Sequence, residues 1–306
     1  MEIRRIVVGL ELGKLSDQGL ARAMGLAREF GARLDVVHGA GVEAPNLGAA
    51  RGAFFAEHAA HAFERARDAA RGKLELLVED PVYAGLPLDD YLHVREESGA
   101  QAILRFAREN AAGLIVIGAH RHRKPFDFGG TGRAVLAKSP CPVWVEPADA
   151  RRFERVLAPV DLSPSTALVL RAARSLAARF DVPVRVLHVF APPEFAYDPL
   201  GGPNPSPTYV VDDLREAERV ATREQVAGFD WGELPVETQF AEGDPAEEIV
   251  ERAGPADLIV MGTHGHTGLS RAVLGSCAYR VLKHAQGPIL VLPQRAELYS
   301  EAAPLR

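Results

Sequence analysis

The stretch "LIVMGTHGHTGLSRAVLGS" (residues 258–276) places an apolar run, two histidines and several glycines in nineteen consecutive positions. The apolar run predicts a buried strand that ends at Gly262, and Gly275-Ser276 opens a predicted helix. A glycine at a strand end lets the chain turn and lets a ligand approach the backbone, while the N–H groups of a helix N-terminus attract anions. The segment therefore predicts either a phosphate cradle or an ordinary strand-to-helix loop, whose turns also use glycine.

The pattern around this stretch occurs twice in the chain. His38 and His188 are 150 positions apart, whereas Gly118 and Gly262 are 144 apart, so the two halves differ in length near their middles. The polar segment 146–155 contains a proline and predicts the linker between them. We therefore expect a domain at residues 1–147, a second domain at residues 152–294, and a C-terminal tail at residues 295–306.

Each half alternates short apolar strands with helices. In the second half, strands are predicted at 155–160, 182–190, 235–243, 257–262 and 288–293, and helices at 163–180, 212–229, 244–254 and 275–285. Ser163 and Asp244 are candidate caps, because each precedes a proline suited to the first helical position. Apolar strands separated by helices predict an α/β fold in which a parallel sheet is covered on both faces. Ligands of such sheets bind at the carboxyl ends of the strands.

The composition restricts the classes of partner. With 306 residues and 47% hydrophobic residues, the chain can bury two cores. The net charge of −6 argues against nucleic acid as a partner. The apolar runs are far shorter than the roughly 18 residues that span a bilayer. The apolar run in the opening "MEIRRIVVGLEL" is too short for the apolar core of a signal peptide, and only two cysteines are present. We therefore expect a cytoplasmic protein that does not bind membranes.

The glycine spacing carries a more specific resemblance. The pattern Gly262-x2-Gly265-x9-Gly275-Ser276 resembles the nucleotide-binding signature of the ATP-binding class of universal stress proteins. Residues 155–180 resemble the first strand and helix of that family, and the similarity covers nearly all of both halves. The chain is thus similar to a tandem universal stress protein. The resemblance implies two Rossmann-like domains of the adenine nucleotide alpha-hydrolase-like type, each an open sheet of five parallel strands.

The resemblance also implies one ATP site, in the second half, with or without Mg²⁺. Asp161 would lie near the ribose or, through a metal, near the phosphates, and Val189 would line the adenine pocket. The sequence alone equally allows a turn residue at position 161 and a core valine at position 189. The residues that match the ATP contacts of the family are Pro159, Val160, Asp161, Val189, Met261, Gly262, Gly265, Gly275, Ser276, Cys277 and Ala278.

The first half departs from this pattern. Gly118 is retained, but Arg121 replaces the next motif glycine and Gly130-Thr131 arrives one residue early. Glu11 and Gly39 stand at the positions matched to the aspartate and the valine of the second half. Together these changes predict a lost or altered ATP site. The basic loop after Gly118 could hold a different anion, but the sequence favours a solvated loop.

Three other features of the sequence suggest different chemistry. "THGH" (263–266) imitates a nucleotidyltransferase signature, but that signature belongs after the first strand of a domain. The pairs His120-x-His122 and His264-x-His266 suggest a metal, but the sequence places no further ligand beside them. Cys277, at a helix start, is a candidate for a lowered pKa or for a small packing residue.

We therefore expect an ATP-binding stress-response protein with slow or no hydrolysis, because no general base is placed beside a nucleophile. The alternatives are a nucleotide-dependent enzyme, such as a weak ATPase or a nucleotidyltransferase, and an interaction module that binds no nucleotide. The resemblance further implies that the two halves pair within the chain through their last strands. A homodimer of two such chains is a further possibility.

Overall fold

The computed structural model describes residues 1–12, 17–42, 49–78, 88–118, 129–147, 152–193, 208–263 and 274–293. Among them, residues 2–147 form one compact unit and residues 152–293 form another. Both units are α/β, with helices between parallel strands. The fold class predicted from the alternation of strands and helices is confirmed.

The first unit contains a sheet whose described strands run in the order β3-β2-β1-β4-β5. All of its neighbouring strands pair in parallel. Its elements in chain order are β1 (Arg5–Gly9), α1 (Asp17–Phe30), β2 (Arg33–Gly39), α2 (Ala49–Val78), α3 (Leu88–Tyr91), β3 (Leu92–Arg95), α4 (Gly99–Glu109), β4 (Leu114–Gly118), α5 (Gly129–Lys138) and β5 (Val143–Glu146).

The second unit repeats this topology, with strands in the order β10-β9-β6-β7-β8, again all parallel. Its elements are β6 (Arg155–Val160), α6 (Thr166–Phe180), β7 (Val184–Phe190), α7 (Thr208–Ala227), β8 (Val236–Glu242), α8 (Pro245–Arg252), β9 (Asp257–Gly262), α9 (Ser276–His284) and β10 (Ile289–Leu292). The chain moves from β6 to β7 and β8 on one side, then returns to place β9 on the other side of β6.

The core of each sheet is formed by strands that are apolar on both faces. Leu157 in β6 and Ile259 in β9 are fully buried, as are Ile6 and Ile115 in the first unit. Burying one such side chain stabilises a fold by roughly 1.5–3 kcal/mol. Helices on both faces of a sheet require this continuous apolar pattern, because no strand face is left in water.

Two helix starts test the predicted caps. Asp244 caps α8 as predicted: its carboxylate accepts the N–H groups of Ala246 and Glu247, both at 3.0 Å, and Pro245 is the first helical residue. This arrangement satisfies two donors that the helix itself cannot pair.

The prediction that Ser163 caps α6 was wrong, because the helix begins at Thr166. Asp161 Oδ1 accepts the N–H of Ser163 at 3.1 Å, and Ser163 Oγ accepts the N–H of Ser165 at 3.2 Å. Leu162, which lies between Asp161 and Ser163, has a φ of 61°. Side chains of Asp and Ser thus hold the backbone in local turns that compete with the helix, and delay its start.

Candidate nucleotide site

The carboxyl ends of β6 and β9 lie side by side in the second sheet. The two strands pair in parallel, with Leu157 opposite Ile259. After β6 the chain continues to β7 on one side of this strand, and it later places β9 on the other side. Between two strands that are connected in opposite directions, α/β sheets open a crevice for ligands. Four of the sequence-predicted residues end these strands: Pro159, Val160, Met261 and Gly262.

Helix α9 begins at the same edge of the sheet. The N–H of Gly275 donates to the carbonyl oxygen of Thr263 over 2.8 Å, which ties the start of the helix to the end of β9. Gly275 is the N-cap, and Ser276, Cys277 and Ala278 form the first turn, whose N–H groups have no partner within a helix. A helix N-terminus in this position favours an anion. Among the sequence-predicted residues, Gly265 alone lies outside the described part of the chain.

Asp161 directly follows β6 and lies next to these groups. Its Oδ1 accepts the N–H of Ser163 and lies 3.5 Å from the hydroxyl of Thr166. The residue is therefore a turn former, as one interpretation of the sequence predicted. A carboxylate is an acceptor with two oxygens, a chemistry that suits a ligand hydroxyl or a cation.

The pKa of Cys277 reflects the charges near the start of α9. Burial, followed by the negative charges of Asp244 and Asp161, raises the pKa of its thiol to about 11, and the positive charge of Arg280 offsets this in part. The lowered pKa considered for this cysteine is therefore wrong, and the neutral thiol is a packing group. Two carboxylates thus act on the first turn of α9, and Asp244 is itself paired with Arg280 at 2.6 Å.

Val189 differs from the core residues of its own strand. Leu187 and Phe190 in β7 are fully buried, whereas Val189 is half-buried near the carboxyl end of the strand. Its neighbour His188 pairs with Val160 of β6 in the sheet register. Val189 is thus placed at the same edge as the strand ends and the start of α9.

His188 is a buried residue of this region whose role sequence reasoning missed. Its Nδ1 lies 2.9 Å from the carbonyl oxygen of Val160, and its Nε2 lies 2.9 Å from Glu218 Oε2 on α7. The matching residue of the first unit, His38, contacts the carbonyl oxygen of Leu10 in the same way at 2.9 Å. The 150-residue repeat of histidine was the signal that could have identified it.

Comparisons with known proteins decide the family. A sequence model described as the universal stress protein family matches residues 2–147 and again residues 152–293. The chain belongs to the universal stress protein family. It is a tandem member, because the family model matches each half separately.

Individual relatives agree with this assignment. A universal stress protein of Methanocaldococcus jannaschii is 35% identical over 144 residues, which is 46% of this chain and 82% of that protein. A universal stress protein of Mycolicibacterium smegmatis is 27% identical over 248 residues, 78% of each chain. A solved universal stress protein from Archaeoglobus fulgidus, 17% identical, superposes with a TM-score of 0.58 over 94% of this chain and 95% of that chain. This last likeness shows a shared fold.

The first universal stress protein domain differs from the second at two of the matched positions, and Gly39 is one of them. A Cβ added at Gly39, which is matched to Val189, would lie 2.6 Å from backbone atoms of Ser98 and Gly99. Real Cβ atoms do not approach backbone this closely, so the start of α4 occupies the space that a valine side chain would need.

A lysine lies at the carboxyl end of β1 in the same domain. Lys73 on α2 donates to the carbonyl oxygen of Glu11 over 2.8 Å and lies 2.7 Å from Asp17 Oδ1. Glu11 is matched to Asp161, so an internal ammonium group sits beside the position where the second domain presents a carboxylate. The predicted replacement Arg121 lies outside the described residues.

Neither a metal cluster nor a membrane span is found in the part of the chain that the structure describes. There, no group of three or more His, Cys, Asp or Glu side chains converges on one point. No helix of the described ranges combines the length and the apolar character needed to cross a bilayer. The pairs His120-x-His122 and His264-x-His266 lie outside the described residues, so the metal hypothesis for them stays untested.

Proposed function

We propose that the second domain binds one ATP molecule at the carboxyl edge of its sheet, and that the protein acts as a nucleotide-dependent stress-response regulator. The phosphates would lie against the first turn of α9, and the ribose near Asp161. The observation that carries the proposal is the hydrogen bond from the Gly275 N–H to Thr263 at 2.8 Å, which fixes a helix N-terminus beside two strand ends.

The small residues of this turn support the proposal. Gly275 has no side chain to separate a phosphate from the backbone, and Ser276 is exposed with a hydroxyl that can donate to a phosphate oxygen. The positive end of the α9 dipole adds a favourable interaction of roughly 0.3–1 kcal/mol for an anion at its N-terminus. Val189, half-buried at the same edge, provides apolar surface for an adenine ring.

The charges around this turn support a role for Asp161. Asp244 is neutralised by Arg280 and by its cap of α8, so its charge is already compensated within the protein. The Asp161 carboxylate at the end of β6 would accept from a ribose hydroxyl. A single carboxylate together with substrate phosphates is also the usual way that proteins hold Mg²⁺, and Asp161 fits that role. When bound, Mg²⁺ would neutralise phosphate charge.

The first domain is proposed to have lost this function. The backbone of Ser98 and Gly99 fills the space beside Gly39, and Lys73 lies against Glu11. The sequence adds Arg121 in place of a motif glycine. An adenine ring placed beside Gly39 would therefore meet the backbone of Ser98 and Gly99. We expect one nucleotide per chain.

Calorimetry with ATP and the full chain tests the proposal, with Asp161→Ala as the variant and Glu11→Ala as the matched control. We expect a stoichiometry of one, at least a tenfold weaker affinity in Asp161→Ala, and an unchanged affinity in Glu11→Ala. Loss of one hydrogen bond to a charged group, roughly 1.5–3 kcal/mol, accounts for that factor. Two equivalent sites, or equal effects of the two substitutions, would contradict the proposal. Chromatography of the nucleotide released on denaturation identifies the natural ligand.

A further inference from the structure

A cavity lies in the first domain, at the outer strand of its sheet. It has a volume of about 380 Å³ and is bordered by α2, β3 and α4. Four basic side chains line it: Arg67, Arg71, His93 and Arg95. The remaining lining residues are apolar: Leu92, Val94 and Phe106. We refer to it as the β3 pocket; among the described residues that line it, none is acidic.

Each of the two arginines on α2 forms an exposed ion pair with a glutamate of the same helix. Arg67 pairs with Glu64 at 2.5 Å and Arg71 with Glu75 at 3.2 Å, and about half of each side chain is exposed. Exposed ion pairs one turn apart on a helix contribute a few tenths of a kcal/mol. A ligand anion can therefore replace the glutamate of either ion pair at little cost.

A buried carboxylate orients the histidine of the pocket. Asp35 has no exposed surface, and its Oδ1 lies 2.9 Å from His93 Nε2. The guanidinium groups of Arg33 and Arg5 lie 3.2 Å and 3.5 Å from the same carboxylate. This network holds the imidazole ring of His93 in one orientation before a ligand binds. Preorganisation of this kind lowers the entropic cost of binding.

Phe106 forms a flat apolar wall beside the basic groups. The His93 ring stacks on it with centroids 4.4 Å apart, and the Arg95 guanidinium lies 5.9 Å from its centroid. Arg95 also pairs with Glu109, which leaves it oriented next to the ring. An apolar wall with cationic groups at its edge suits a ligand that has an apolar body and an anionic group.

The second domain fills the equivalent place with its own side chains. The strand register pairs His38 with Val94 in the first sheet and His188 with Phe240 in the second. Phe240 therefore stands where Val94 does, and the Arg219 guanidinium covers its ring at 4.8 Å. The smaller valine in the first domain leaves that volume open. The two repeats thus differ in side-chain volume at this position of the outer strand.

We propose that the β3 pocket binds a small organic anion, with a carboxylate or phosphate group held by Arg67 and Arg71 and an apolar body against Phe106. The volume lies near the lower end of the roughly 300–1,000 Å³ that is usual for small-molecule sites, which restricts the ligand to a small molecule. The pocket belongs to the first domain, so it is separate from the ATP site proposed for the second.

Calorimetric titration of the full chain with benzoate and with phenyl phosphate tests this proposal, and benzyl alcohol serves as the uncharged comparison. We expect one binding event for at least one of the anions and none for the alcohol. The anion that binds with the higher affinity shows whether the pocket prefers a carboxylate or a phosphate group. Arg67→Gln combined with Arg71→Gln should weaken binding by tenfold or more, because charge-assisted hydrogen bonds contribute roughly 1.5–3 kcal/mol each. Arg65→Gln, on the same helix but outside the pocket, should have no effect.

The same titration in the Asp161→Ala chain separates the two sites. Benzoate or phenyl phosphate binding should persist there, even though the proposed ATP site is removed. Absence of binding by both anions, equal affinity for the alcohol, or equal losses in the Arg65→Gln and the double variant would overturn the proposal. Loss of binding in Asp161→Ala would also overturn it, because the anion would then occupy the nucleotide site.

Discussion

His188 Nδ1 lies 2.9 Å from the carbonyl oxygen of Val160, one residue before Asp161. The other ring nitrogen contacts Glu218 on α7 at the same distance. One buried side chain therefore connects the end of β6 to the neighbouring strand and to a covering helix. Because the candidate ATP site depends on where β6 ends, this histidine is a positioning residue for it.

The first prediction is that His188→Leu weakens both the second domain and its ATP affinity. The substitution leaves the Val160 carbonyl and the Glu218 carboxylate without this partner, which costs roughly 1–3 kcal/mol for a buried polar group. Urea unfolding measures the stability, and calorimetry measures the affinity. His38→Leu removes the matching bond in the first domain. It should lower stability without changing ATP affinity, and the same affinity in both variants would contradict a positioning role.

The second prediction is that Gly265→Arg abolishes ATP binding while the fold is kept. The sequence motif places this glycine where a side chain would intrude on the phosphates. ATP at about 100 times its dissociation constant stabilises a protein by roughly 2.7 kcal/mol, so it should raise the Tm of the wild type and not that of the variant. Gly130→Ala in the first domain is the control, because a Cβ there meets no atom within 4 Å. Arg121→Gly alone should not create a second site, and an ATP-dependent Tm in Gly265→Arg would refute the prediction.

The third prediction is that Gly39→Val destabilises the first domain by about 1–3 kcal/mol or more, as overpacking does. The new Cβ would lie 2.6 Å from the backbone of Ser98 and Gly99, which cannot move as a side chain can. Trp144 fluorescence during denaturant unfolding, in a Trp231→Phe background, reports on this domain alone. Gly25→Ala in α1 is the control: it has open space and should be neutral or stabilising. A stable Gly39→Val domain would show that α4 can shift.

The fourth prediction concerns the reactivity of Cys277. Burial and the charges of Asp244 and Asp161 raise the pKa of its thiol to about 11, so the neutral thiol dominates below that pH. Alkylation by iodoacetamide, followed by peptide mass spectrometry, should be slow at neutral pH and should rise about tenfold per pH unit toward pH 11, because the thiolate is the nucleophile. A rate at neutral pH equal to that of the unfolded chain would contradict the raised pKa.

The candidate site shows where sequence reasoning was sufficient and where it was not. Asp244 was predicted as a cap because its effect is local: the carboxylate reaches N–H groups two and three residues later. Ser163 was predicted as a cap by the same rule, and the prediction failed because Asp161 acts on the same backbone. A single-residue rule cannot decide between two overlapping turns. The role of His188 also escaped prediction, since Glu218 lies 30 positions away.

The sequence by itself determined the repeat, the family resemblance, the α/β class and most strand limits, because each depends on periodicity or spacing within a short window of residues. Only the tertiary structure decided which side chains meet across strands and helices. The contact of Gly39 with the start of α4, the bond between His188 and Val160, and the assembly of the β3 pocket each join segments far apart in the chain. Such contacts depend on how the helices pack on the sheet, and the packing in turn depends on the volumes of many side chains at once.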